Sequence, residues 1–131
     1  MRKTVATLTA VLALAGCGAG ASGSAESSPS PSSYVPGRFE AAKITCRAAS
    51  PLSDGGKTLT FDTKGEEDTS GDSIDDMWCV LTKLKITTAV TSHMESTRAL
   101  DGQQTDEWDG VKARWTYHPD SGVGLTLGDT T

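Results

Sequence analysis

Strict alternation over residues 111 to 118 constrains this chain more than any other stretch. In VKARWTYH, Val111, Ala113, Trp115 and Tyr117 fall on one face, and Lys112, Arg114, Thr116 and His118 on the other. A two-residue apolar period is the signature of a half-buried strand. The pattern returns in VGLTL, residues 123 to 127, where Val123, Leu125 and Leu127 align. Between the two runs stands PDSG. Its proline presets a turn, its aspartate favours one, and its glycine tolerates a left-handed backbone. The two runs are therefore expected to form an antiparallel hairpin over 111–127.

The remaining elements are read the same way. Asp109-Gly110 is a two-residue turn signal, so Thr105 to Trp108 is expected as a further short strand in the same sheet. KTLTFDT, residues 57 to 63, puts Leu59 and Phe61 opposite Thr58, Thr60 and Asp62, another strand. From Ser73 the period lengthens. Ile74, Met77, Trp78, Leu81 and Leu84 follow helical spacing, with Ser73 as the expected N-cap and Asp75 and Asp76 in the first turn. A second helix is expected over 87–102, with Val90, Met94, Thr97 and Leu100 near one face and Asp101-Gly102 as its stop. A first strand is read around Lys43 to Arg47. The fold class expected is α+β: a small single domain, its antiparallel sheet packed by one or two helices on one face.

The amino terminus has another character. Arg2 and Lys3 precede an uncharged run from Thr4 to Ala15, the layout of an export signal. Twelve helical residues would rise only about 18 Å, short of a hydrocarbon core of about 30 Å. The run ends in Leu14-Ala15-Gly16-Cys17. There the chain resembles the bacterial lipoproteins, whose lipobox has a leucine, a small residue, Gly or Ala, then cysteine. The resemblance covers about 17 residues. It implies a signal peptide over 1–16, removed before Cys17, and a thioether-linked diacylglyceryl group on the Cys17 sulfur. Two acyl chains hold a protein stably where one holds it marginally. The implied location is extracytoplasmic, anchored to the outer face of the bacterial cell membrane. The alternative is an ordinary secretory signal cut at an Ala-Gly bond.

Residues 17–36 then read as the lipidated cysteine and a disordered tether of Gly, Ala, Ser and Pro, with an end-to-end distance of roughly 24 Å. Residues 37–131 form the single domain. Three cysteines leave one unpaired in an exported protein. With Cys17 taken by lipid, Cys46 and Cys79 are expected to form a disulfide tying the first strand to the first helix, closing a loop of roughly 34 residues worth about 4 kcal/mol. Free thiols for redox or metal chemistry would favour closer spacing.

Of 12 basic residues the signal peptide takes Arg2 and Lys3, leaving ten against 17 acids, a balance of −7. Nucleic acid is not expected as a partner, because phosphate contacts need clustered Lys and Arg. Nor is there a polybasic grip on anionic lipid, so the membrane is reached through the acyl chains.

Candidate chemistry is sparse. Trp108, Trp115 and Tyr117 could offer a platform to sugar rings, although Trp115 and Tyr117 share the apolar face and are expected in the core. Trp108 lies outside that stripe and is expected to be the exposed one. His93, Met94, Met77 and His118 are donors suited to copper, but His93 and Met94 diverge by about 100° on a helix, and both methionines fit apolar stripes. Glu66, Glu67, Asp68, Asp72, Asp75 and Asp76 lack the spacing of a calcium-binding EF-hand and read as a solvated loop entering a helix. His118, Asp120 and Ser121 are close in sequence, yet the turn already explains Asp120. Catalytic residues, cofactors and a metal site are accordingly not expected. The function expected is a non-enzymatic, lipid-anchored module that binds a protein or cell-envelope component. A metal or sugar carrier is the alternative, and a weak hydrolase the third reading.

Overall fold

A computed structural model describes residues 34–131. The lipobox, Cys17 and the tether to residue 33 lie outside the described residues. The element order is α1 (Arg38–Cys46), β1 (Leu52–Ser53), β2 (Thr58–Asp62), α2 (Ile74–Lys83), α3 (Thr88–Ser96), β3 (Gln104–Trp108), β4 (Val111–His118) and β5 (Gly122–Asp129). The strands form one antiparallel sheet in the order β1-β2-β5-β4-β3. This is the α+β domain that the sequence pattern implies. No helix among the described residues is long and apolar enough to cross a membrane.

The register fixes which side chains share a face. Trp115 lies opposite both Gln104 and Leu125, and Ala113 opposite Leu127, which in turn faces Leu59. Leu59, Phe61, Val111, Ala113, Trp115, Leu125 and Leu127 are all buried beneath the helices. They meet Phe39 and Ala42 of α1, Met77, Val80 and Leu81 of α2, and Val90 and Met94 of α3. Among the described residues the opposite face carries no helix. It presents Thr60, Thr126, Arg114 and Thr105 as one row across four strands.

The first expected strand is instead a helix. Residues 38–46 bury Phe39, Ala42 and Cys46, at i, i+3 and i+7, with Ala41, Ala42, Glu40 and Lys43 favouring the helix. The β-branched pair Ile44-Thr45 suggests a strand, but Ile44 points to solvent. Arg47 ends the helix at φ 57°, and the Ala48 amide donates to the Lys43 carbonyl. The disulfide between Cys46 and Cys79 is present. It therefore joins two helices, α1 and α2, rather than a strand and a helix. Among the described residues three α-helices, rather than one or two, pack with the sheet.

The second expected helix is shorter than its pattern. Thr87 caps α3 by accepting the Val90 amide at 3.4 Å, and the helix stops at Ser96. Thr97 takes extended dihedrals and holds its hydroxyl between two partners, donating to the His93 carbonyl and accepting from the Trp115 indole at 3.0 Å. Arg98 to Asp101 then close a separate 3-10 turn, in which the Asp101 carboxylate accepts the Arg98 amide at 2.7 Å. The Asp-Gly stop is real, but it ends this turn. Leu100, expected on the apolar face, is 98% exposed.

The domain has two ends. At the near end the chain enters α1, and Arg38 donates to the Asp109 carbonyl at 2.6 Å and pairs with Asp129. At the far end the β4–β5 turn, Pro119 to Ser121, receives the loop that follows β2. Glu66 and Glu67 donate their amides to the carbonyls of Pro119 and Asp120. Gly65 makes the approach possible, since a Cβ there would lie 2.2 Å from the Asp120 backbone.

Candidate functional site

An apolar hollow lies on the helix side, toward the far end. It is a cleft of about 310 Å³ with Ile74, Met77 and Trp78 of α2 on one wall and Met94, Glu95 and Thr97 at the end of α3 on the other. Its floor is Trp115 and Val123, with Tyr117 at the rim. The cleft follows from the early end of α3. The helix stops beside Trp115, whose indole holds Thr97, and the chain turns back toward β3. Two residues further along β4, Tyr117 is left 38% exposed, and across from it Ile74 is 43% exposed. Tyr117, expected in the core with Trp115, is thus a rim residue. Trp115 is buried as expected.

Trp108 reverses its expectation. It is buried, and its indole N–H donates to the Leu84 carbonyl at 2.9 Å, satisfying one of the orphan acceptors at the end of α2. The reason lies in the turn. Asp109 and Gly110 both have positive φ, 43° and 72°, so a two-residue hairpin pairs Trp108 directly with Val111 and places both on the buried face.

His93 supports the floor from behind. Its ring meets that of Trp115 edge to face at 4.9 Å, with Nδ1 2.9 Å from Asp106 and Nε2 3.2 Å from Gln104. The hydrogen bond that the ring donates to the Asp106 carboxylate raises the His93 pKa, desolvation opposes this, and Gln104 adds to the rise. Both ring nitrogens thus lie within hydrogen-bond distance of side-chain oxygens. A raised folded pKa stabilises the fold fully below the unfolded value, and that contribution is lost as pH rises through the folded one. The melting temperature is therefore expected to fall between pH 6 and pH 8. The ring is partly exposed, so solvent limits the fall to roughly a few degrees. Melting curves of Asp106→Asn should show this dependence flattened; an unchanged slope would assign it to other groups.

The other candidates disperse. Met77 and Met94 pack in the cleft wall, whereas His118 stands on the helix-free face with its Nδ1 accepting the Asp120 amide at 3.3 Å. No group of three His, Cys, Asp or Glu side chains that could hold a metal stands together among the described residues. Cys46 and Cys79 are bridged and offer no thiol. The acidic residues lie on a solvated loop that enters α2, as expected, and the Asp72 carboxylate accepts the Asp62 amide at 3.0 Å and closes the loop at its end. What the cleft can do is desolvate one or more apolar side chains against aromatic walls, beside one carboxylate, Glu95. Among the described residues Glu95 has no cation within ion-pair distance.

No protein-family model matches this chain, and neither a curated protein nor a solved structure matches it.

Proposed function

We propose that this chain is a lipid-anchored, non-enzymatic module that binds an envelope protein on the outer face of a bacterial cell membrane, and that the cleft at its far end is the contact site. The carrying observation is the exposure of Ile74 and Tyr117 around an apolar hollow, beside a Trp78 that is only partly buried. Exposed apolar surface of this kind, with an aromatic centre, marks protein contacts. The anchor rests on the likeness of Leu14-Ala15-Gly16-Cys17 to a lipobox.

The test is a photo-crosslinking residue placed in living cells at position 117, and separately at position 60 on the helix-free face. A discrete partner captured from 117, absent from 60 and lost with Cys17→Ser, is the expected result. Equal capture from both positions, or none from 117, overturns the assignment. The cleft volume also falls at the low end of the range for small-ligand sites, about 300–1,000 Å³, which keeps a sugar-carrier reading in view. A wall oligosaccharide at 100 times its dissociation constant would then raise stability by about 2.7 kcal/mol, and a melting scan would reveal it.

A further inference from the structure

The occupant of the cleft can be narrowed by charge, and this step rests on the protein-binding reading above. The described residues carry ten cations and 16 anions, and the imbalance is not spread over them. Residues 62–76 alone hold seven carboxylates and one lysine, while everything else balances at nine of each. The whole net charge of the domain thus sits in one segment. That segment is fastened to the far end by the Glu66 and Glu67 amides and by the Asp62–Asp72 closure, and it runs straight into Ile74, Met77 and Trp78 of the cleft wall. Among the described residues the only charge lining the cleft itself is Glu95, on the opposite wall. An apolar hollow therefore lies between a carboxylate and an acidic apron.

A neutral or acidic partner would meet uncompensated negative potential there, whereas a partner bearing Lys or Arg beside its apolar side chains would be steered in and held. An apolar cavity of about 150 Å³ takes one benzene ring, so a cleft of about 310 Å³ suits one or two large side chains. We infer that the cleft receives a short, cationic and apolar peptide segment of its protein partner, one or two large apolar side chains entering between α2 and α3 with flanking Lys or Arg facing Glu95 and the 62–76 segment.

The experiment uses the full chain and three synthetic dodecapeptides: alternating Leu and Lys, the same with Glu for Lys, and the same with Ser for Leu. Binding is followed by fluorescence of the cleft tryptophans and by calorimetry. The Leu/Lys peptide is expected to bind, with affinity falling as salt is raised; the other two are not. Tyr117→Ala should weaken it about tenfold and Glu95→Gln roughly threefold. Both side chains are solvent-exposed, so both variants are expected to fold, and unchanged melting curves verify this. Equal binding of the Leu/Lys and Ser/Lys peptides, or binding indifferent to both substitutions, would show diffuse attraction to the acidic segment and overturn the inference. Preference for the Leu/Glu peptide would overturn it as well. If crosslinking from position 117 captures a partner whose contact segment is acidic or uncharged, the peptide inference fails while the protein-binding reading stands. If position 117 captures nothing, both fail.

Discussion

Opening the Cys46–Cys79 bridge is expected to lower the stability of this domain by about 4 kcal/mol, the entropy returned to an unfolded chain whose loop of roughly 34 residues is no longer closed. For a domain of this size that corresponds to a fall in melting temperature of roughly 15–30 °C. The loss is large because the total is small, about 5–15 kcal/mol for a single domain. Among the described residues the bridge is also the one covalent cross-link, beyond the backbone itself, between α1 and the rest of the helical layer. Phe39, Ala42 and Cys46 bury one face of α1, but a nine-residue helix is too short to persist by itself in water. Two measurements separate the bridge from its packing. Reducing the wild-type protein removes only the bond, whereas Cys46→Ala with Cys79→Ala also removes both sulfurs from a buried region. Similar melting temperatures for the two would assign the effect to the bond. A reduced protein melting within a few degrees of the oxidised one would show that packing alone holds α1.

Trp115→Ala should have the second large effect, about 3–5 kcal/mol, as expected for deleting a buried aromatic side chain and leaving a cavity. The side chain is 2% exposed, and three elements converge on it. Its indole N–H is the donor to Thr97 at the end of α3, its ring carries His93, and its backbone pairs with Leu125 and Gln104. Its removal therefore unties α3 from the sheet as well as emptying the core. Trp115→Phe keeps most of the apolar volume and loses the hydrogen bond, so it should cost less than half as much, about 1 kcal/mol of it from the Thr97 hydroxyl left without its donor. Urea midpoints for the two variants, beside Tyr117→Ala as a surface control, provide the check. Comparable losses at 115 and 117 would contradict the assignment of one to the core and the other to the rim.

The sheet was largely legible in the sequence and the helical layer only in part. Strand periodicity at 58–62, 111–118 and 123–127 is unambiguous because alternate residues differ sharply in polarity, and the structure keeps that alternation as buried and exposed faces. Residues 38–46 misled because Ile44 and Thr45 carry β-branched side chains, and α1 tolerates them on its solvent side. The end of α3 was not visible locally. It depends on Thr97 being held by Trp115, a residue 18 positions away in sequence. That same tertiary contact creates the cleft, so the candidate site was hidden for the same reason as the helix end. One signal was available. A two-residue Asp-Gly hairpin forces its flanking residues, Trp108 and Val111, onto one face, and applying that rule would have moved Trp108 into the core. With Trp108 accounted for, Tyr117 becomes the aromatic side chain of the β3–β4 pair left partly exposed.

The placement of the bridge also governs how the domain would answer a pull. A load entering through residue 34 reaches α1 first, and only the stretch from Arg38 to Cys46 can be peeled away before the tension arrives at the disulfide. From there it passes through the sulfur atoms into the middle of α2, bypassing the segment of 32 residues between the cysteines. At about 3.3–3.6 Å per extended residue, that segment stores roughly 115 Å of contour length that no force can draw out while the bond is oxidised. Reduction would release it. The bridge thus works as a mechanical stop, keeping β1, β2 and the acidic segment in place when the chain is drawn taut from its amino-terminal side.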